Sequence, residues 1–213
     1  MKKILILFAI LSFFACEAKH LTPKETELIN KLDFNIKLMK KLKTETNSEL
    51  IQLPTINEEN YLELNELHNG IHSNISEEKA NLIVKKLKKQ FRSKGYLIFV
   101  FSGEEDSKSI GVIKGTNDLD ILRYRKTNSI NHNYKNKDII EKISKWNEKF
   151  GLTVIGCGKD WLELEFKELP ADLDSFSNEV YTFCPDIVDQ GVGELQNLKE
   201  LIKEMNGIWL WWD

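Results

Sequence analysis

The chain has 213 residues, of which 41% are apolar and 30% charged, and its formal net charge is −3. This composition excludes the collagen-like, disordered and disulfide-scaffold classes, and the length suits one large domain. Two residue types are placed unevenly along the chain. Arg123 and Arg125 are two of the three arginines, and Trp209, Trp211 and Trp212 are three of the five tryptophans.

The N-terminus has the pattern of a secretion signal. Lys2 and Lys3 precede an apolar run over residues 4–14, which is shorter than the ~20 residues that a membrane-spanning helix needs. The run ends at Ala15-Cys16, which resembles the lipobox of bacterial lipoproteins. That resemblance implies cleavage before Cys16 and diacylation of this cysteine. The alternatives are an ordinary signal peptide with a chance cysteine and a buried hydrophobic helix.

The lipobox predicts an exported protein that is lipid-anchored to the bacterial cell envelope, with a signal peptide over residues 1–15 and a tether over residues 16–24. Cleavage removes two of the 30 basic side chains and none of the 33 acidic ones, so the net charge falls from −3 to −5. A negative charge argues against a nucleic-acid partner, which requires a basic surface. The lysine-rich stretch over residues 85–94 is better explained as the solvated face of a helix than as a nucleic-acid site.

The N-terminal half predicts helices around weakly patterned strands. The first helix starts at Thr22-Pro23 and Glu25, where a hydroxyl cap, a proline and an acid are typical of a helix N-terminus. A break is expected near Asp33-Phe34. The remaining elements predicted in this half are short strands near residues 50–53 and 61–64, a helix from Ser76 to Gly95, and strands at residues 96–101 and 110–113.

The C-terminal half predicts a helix that opens with Asp138 and Glu141 at capping-box spacing. In the hairpin that follows, Leu162 and Leu164 are expected to point inward and Glu163 outward. The other elements predicted here are strands at residues 152–156, 161–166 and 208–212, and helices that start at Asp172 and Glu194. The interleaving predicts an α+β fold over residues 25–213, a single domain with helices packed on a mixed sheet and a C-terminal strand ending in Trp-Trp-Asp.

One polar segment follows the predicted strand that ends at residue 113. It contains Lys114, Thr116, Asp118, Arg123 and Arg125. A strand that leads into a helix start can present backbone N–H groups to an anion, and arginine offers a planar fork for a carboxylate or phosphate. These five residues are therefore candidates for ligand binding. The alternative is that Arg123 pairs with a neighbouring aspartate and that Arg125 is solvated.

A second polar segment joins the last two predicted helices. Asp186 and Gln190 are its candidate ligand-binding residues, although aspartate and glycine in such a loop more often serve turns and caps. At the C-terminus, the three tryptophans favour packing on both faces of a well-covered strand, with an aromatic platform for a sugar, peptide or partner as the alternative. Asp213 is a further candidate ligand-binding residue, and its two negative charges could pair with Arg123 or Arg125.

The histidines and cysteines give weaker signals. His132 is the one candidate histidine for acid or base chemistry, whereas His68 and His72 favour loop positions over a metal pair. Cys157 and Cys184 could form a disulfide in an exported protein or stay as buried thiols. No spacing of cysteine and histidine predicts a metal site, and no motif predicts a cofactor.

Several segments of the second half carry a family resemblance. They are Phe183-Cys184-Pro185-Asp186, Gln190-Gly191 and Leu210-Trp211-Trp212-Asp213, with support from residues 111–116, 120–123 and 161–164. Together they resemble an uncharacterised bacterial family, domain of unknown function 4253, most clearly over residues 95–213. The resemblance implies one compact domain and supplies no activity and no catalytic residue.

These observations predict a lipid-anchored envelope protein that binds a ligand or a protein partner without catalysis. The prediction rests on the anchor at Cys16, on the acidic net charge and on the lack of a recognisable catalytic motif. The alternative is a hydrolase that acts on an anionic or amide substrate through Asp118 or Asp186, the two neighbouring arginines and His132.

Overall fold

Seven strands form one mixed sheet in this computed structural model, which describes residues 20–102, 108–129 and 131–212. The strands are β1 (Ile51–Ile56), β2 (Leu62–Ile75), β3 (Tyr96–Ser102), β4 (Lys108–Lys114), β5 (Leu152–Cys157), β6 (Trp161–Phe166) and β7 (Gly207–Trp211). Their order in the sheet is β1-β2-β4-β3-β5-β6-β7. Every neighbouring pair is antiparallel except β3 and β5, which are parallel.

Helices cover both faces of this sheet. They are α1 (Pro23–Lys31), α2 (Ile36–Thr46), α3 (Glu77–Arg92), α4 (Leu119–Arg125), α5 (Asn136–Phe150), α6 (Leu173–Phe183) and α7 (Leu195–Met205), with a π-helical turn at Ile187–Val192. One buried apolar cluster joins the sheet to α1, α2 and α3, and a second joins its other face to the later helices. The predicted α+β class with a mixed sheet is thus confirmed. Among the helices of the described ranges, none is long and apolar enough to cross a membrane.

Local capping explains the break between α1 and α2. The hydroxyl of Thr22 accepts from the Glu25 amide at 3.2 Å, and the Glu25 carboxylate accepts from the Thr22 amide at 2.7 Å, which fixes the start of α1. Asp33 has a positive φ of 54° and Phe34 is buried, so the chain turns there. The Asn35 side chain then caps α2. The break predicted near Asp33-Phe34 is confirmed.

Two element boundaries differ from the sequence predictions. The strand expected over residues 61–64 continues to Ile75, because its second half pairs with β4 as well as with β1. His68 and His72 therefore lie on a strand, and the prediction of loop positions for them is wrong. Helix α5 begins at Asn136, two residues before Asp138, whose carboxylate accepts from the Lys135 amide at 2.9 Å.

The far edge of the sheet corrects two further predictions. Glu163 is 6% exposed rather than outward-facing, because Asn81 and Lys85 of α3 cover it. Strand β7 is an edge strand rather than a well-covered one. Its two faces differ, since Trp212 is buried just after the strand whereas Trp209 is 42% exposed.

Candidate functional site

The first predicted ligand-binding segment does not form one cluster. Lys114 pairs with Asp33 at 3.0 Å, and Thr116 is exposed. Arg123 pairs with Asp120 at 2.6 Å on the surface of α4. An exposed ion pair three residues apart on a helix contributes little to stability and needs no ligand to explain it. Because these side chains lie apart on the surface and do not share a cleft, the structure gives no support to their predicted role in ligand binding.

Asp118 acts as a structural anchor. The guanidinium of Arg92 binds both of its carboxylate oxygens, one of them at 2.6 Å, and its Oδ1 also accepts from the Val154 amide at 2.7 Å. A bidentate arginine–carboxylate pair is among the stronger ion pairs in proteins. Asp118 therefore ties α3 to α4 and to β5.

Arg125 is buried, with 4% of its surface exposed. Its Nη1 donates to the backbone oxygen of Asn60 at 3.3 Å and to the side-chain oxygen of the same residue. Asn60 in turn donates to the Lys159 backbone oxygen at 2.9 Å. Burial lowers the pKa of Arg125. This arginine therefore joins α4 to the β1–β2 turn, and the expectation that it is solvated is wrong.

Three predicted site residues do meet. His132 Nε2 lies 2.9 Å from Asp186 Oδ2, and Gln190 Nε2 donates to Asp186 Oδ1 at 3.1 Å. A carboxylate that orients an imidazole is half of the arrangement used in nucleophilic catalysis. The nearby thiol of Cys184 instead donates to the Trp211 backbone oxygen at 2.9 Å, and burial raises its pKa to about 12. The trio is thus placed to fasten the loop that holds His132 to the start of the π-helical turn.

Other predicted residues have simpler outcomes. Cys157 and Cys184 are both buried free thiols. Cys16 and Asp213 lie outside the described residues, as does the signal peptide predicted over residues 1–15. Within the described ranges, no group of three or more histidine, cysteine, aspartate or glutamate side chains is arranged to hold a metal ion.

A groove of about 630 Å³ lies at the β1 edge of the sheet, where α1 faces the β1–β2 hairpin. This size is in the range typical of small-molecule sites. We call it the His72 groove. Its walls include the half-exposed side chains of Leu64 and Leu67 and the buried rings of Pro54 and Phe101. The groove is therefore largely apolar, with Lys24, Glu27 and Lys31 of α1 at its rim.

His72 is the most unusual group in this groove. It is 8% exposed, and its ring packs edge-on against Phe101 with a centroid distance of 5.6 Å. Nδ1 is buried and has no hydrogen-bond partner among the described residues. Burial lowers the pKa of His72 to about 4, so the imidazole is neutral at neutral pH. A buried polar atom without a partner costs free energy unless a ligand or water satisfies it.

The comparisons with known proteins agree with the resemblance seen in the sequence. Residues 109–213 match the family model described as Domain of unknown function (DUF4253). The DUF4253 resemblance is thereby confirmed over that span. No curated protein and no solved structure matches the chain significantly.

The DUF4253 match and the His72 groove overlap little. The match begins inside β4 and continues through β7. Of the residues that line the groove, Ser109 alone lies within the matched span. Sequence reasoning missed the groove because α1, β1 and β2 are separate in the chain. The one available signal was the apolar spacing of Leu62, Leu64 and Leu67, which the structure leaves partly exposed.

Proposed function

We propose that this chain is a lipid-anchored domain of the bacterial envelope that binds a ligand in the His72 groove without catalysis. The observation that carries the proposal is the neutral, buried imidazole of His72 in a largely apolar groove, whose Nδ1 has no hydrogen-bond partner among the described residues. A large apolar pocket with a few converging polar groups is the usual form of a ligand site.

The lining of the groove indicates the chemistry of its ligand. Leu64 and Leu67 are 58% and 54% exposed, and covering them removes apolar surface from water at about 25 cal/mol per Å². His72 can supply one hydrogen bond, and Asn74 lines the same cavity. We infer a ligand with an apolar body and one hydroxyl or amide group that hydrogen-bonds the His72 imidazole where it lines the cavity.

A fluorescent probe tests this ligand site. Residues 20–213, which contain every described element, are titrated with N-phenyl-1-naphthylamine, whose fluorescence rises in apolar surroundings. We expect saturable binding that Leu67→Glu weakens about tenfold or more, since a charge in the groove must be desolvated. The matched control is Leu82→Glu, because Leu82 is 69% exposed on α3 and does not line the groove.

A displacement step tests the role of His72. In wild type, 1-decanol is expected to displace the probe, and in His72→Leu its apparent affinity should fall about fivefold, the worth of one hydrogen bond of about 1 kcal/mol. Equal displacement in both proteins contradicts the proposed polar contact. Equal probe binding by Leu67→Glu and wild type contradicts the groove as the ligand site.

Metabolic labelling tests the anchor. Cells that express the full chain are grown with a clickable palmitate analogue, and we expect the label on the protein to be lost in Cys16→Ser. Cys157→Ser is the matched control and should keep the label, because Cys157 is completely buried. An unlabelled wild type, or equal label in Cys16→Ser, contradicts anchoring at Cys16.

The hydrolase alternative draws support from the His132–Asp186 contact of 2.9 Å. The arginines assigned to the same cluster lie apart from it, since Arg123 pairs with Asp120 and Arg125 with Asn60. The binding proposal is therefore the better supported of the two.

A further inference from the structure

A second cleft lies at the opposite edge of the sheet from the His72 groove, between α3, α7 and strands β6 and β7. Its volume is about 340 Å³. We call it the tryptophan cleft, and its lining includes Asn81, Trp161, Glu163, Trp209 and Trp211. Three of the five tryptophans of the chain therefore line one small cleft.

The aromatic surface of this cleft is built by strand register. Trp209 and Trp211 lie two residues apart on β7, so their rings share a face and pack in a tilted arrangement with a centroid distance of 4.9 Å and an angle of 32°. Trp161 is the partner of Trp211 across β6 and β7. Behind Trp211 is Gly191, where an added Cβ would come within 2.5 Å of the indole ring. The close approach of this glycine helps to hold the ring in place.

Packing alone does not account for this surface. Trp209 is 42% exposed although its side chain is large and mostly apolar. An exposed aromatic surface of this kind costs hydrophobic free energy and is common where a ligand covers it. Trp212, which points to the other face, is buried and shows how a purely structural tryptophan is accommodated.

The polar side of the cleft centres on Glu163. This carboxylate is 6% exposed, accepts from Asn81 Nδ2 at 2.7 Å and lies 3.1 Å from Lys85 Nζ. A carboxylate offers about four acceptor positions, and these two contacts use only part of them. The amide oxygen of Asn81 is a further acceptor beside it. Two hydrogen-bonding groups therefore adjoin the Trp209 and Trp211 rings.

We propose that the tryptophan cleft binds a pyranose ring of a glycan. A pyranose has a face of C–H groups, which lies flat on an indole ring, and a rim of hydroxyl groups, which donate to carboxylate and amide oxygens. The exposed ring of Trp209, packed beside Trp211, supplies the apolar surface, and Glu163 with Asn81 supplies the acceptors. This site is separate from the His72 groove and does not depend on the proposed function.

Calorimetric titration with tetrasaccharides tests the proposal. The full chain, in lauryldimethylamine oxide micelles that carry no sugar headgroup, is titrated with chitotetraose, cellotetraose and maltotetraose. We expect at least one of them to bind, and Trp209→Ala to weaken that binding about tenfold because it removes the exposed stacking surface. Asn81→Ala should weaken it about threefold or more by removing one acceptor.

The control variant is Tyr61→Ala, which removes another exposed aromatic ring, 56% exposed, that does not line the cleft. It should bind the sugars as wild type does. The absence of binding by all three tetrasaccharides, or equal affinity in Trp209→Ala and wild type, overturns the proposal. Binding of a proline-rich peptide in place of the sugars also overturns it. None of these results bears on probe binding in the His72 groove, so the two proposals fail separately.

Discussion

Replacing Arg125 by alanine is expected to lower the free energy of unfolding by about 3–5 kcal/mol. The guanidinium is 4% exposed and is bonded to the side-chain and backbone oxygens of Asn60, which is 1% exposed. Truncation leaves those oxygens buried without a donor and opens a cavity between α4 and the β1–β2 turn. Urea denaturation of the variant and of wild type measures the change.

The neighbouring arginine provides the matched control. Arg123 belongs to the same helix and pairs with Asp120 in an exposed contact. Arg123→Ala should therefore change the free energy of unfolding by about 0.5 kcal/mol or less. Similar effects from the two substitutions would show that Arg125 is not the structural anchor that its contacts indicate. The two substitutions also distinguish Arg123 from Arg125, which are neighbours in the sequence but differ in burial, since Arg125 is buried and Arg123 is exposed.

Glu25→Ala is the second substitution with a large expected effect, again a loss of about 3–5 kcal/mol at neutral pH. The Glu25 carboxylate is 1% exposed and lies 2.8 Å from Lys43 Nζ, and it also accepts from the Leu50 amide at 2.8 Å. Its removal leaves the Lys43 ammonium buried without a counter-ion. Glu27→Ala is the control, because Glu27 is exposed on the same helix.

The same carboxylate predicts a pH dependence. Burial acts to raise the pKa of Glu25, but the bonds from Lys43, Thr22 and Leu50 outweigh it and hold the pKa below its ordinary value of 4.5. The unfolded chain therefore takes up this proton first as the pH falls. The electrostatic contribution of Glu25 is present well above pH 4.5 and is lost as the pH falls through the lower pKa of the folded state, so the difference in stability between wild type and Glu25→Ala should narrow below pH 4.5. Urea titrations at pH 7 and at pH 3.5 measure the two differences, and a constant difference contradicts the assignment.

Local patterns in the sequence were enough to predict most elements. The caps at Thr22 and Asp172 act through residues three positions away, and the apolar run that forms β3 is continuous. Such local patterns could not predict the order of the strands in the sheet. The pairing of β2 with β4, across α3 and β3, depends on contacts between residues far apart in the chain. The position of β7 at the edge likewise follows from the whole sheet rather than from its own sequence.

The candidate sites show the same limit. The contact of His132 with Asp186 spans 54 residues, and that of Arg125 with Asn60 spans 65. Polar side chains that looked like one cluster in the sequence were distributed by the fold to different partners. The tryptophan cleft was foreseeable in part, because alternation along β7 places Trp209 and Trp211 on one face. Its other wall comes from α3 and α7, which no short-range pattern assigns to it.

The parallel junction between β3 and β5 has a consequence for autonomy of folding. Residues 109–213 include all of β4 except its first residue, yet β3 lies between β4 and β5 in the sheet and precedes that span. A fragment of those residues would leave β4 without either of its neighbours, β2 and β3, and would expose the inner edge of β5. We therefore expect that residues 109–213, which match the family model, do not fold alone. The sheet also needs β2 and β3, which lie earlier in the chain.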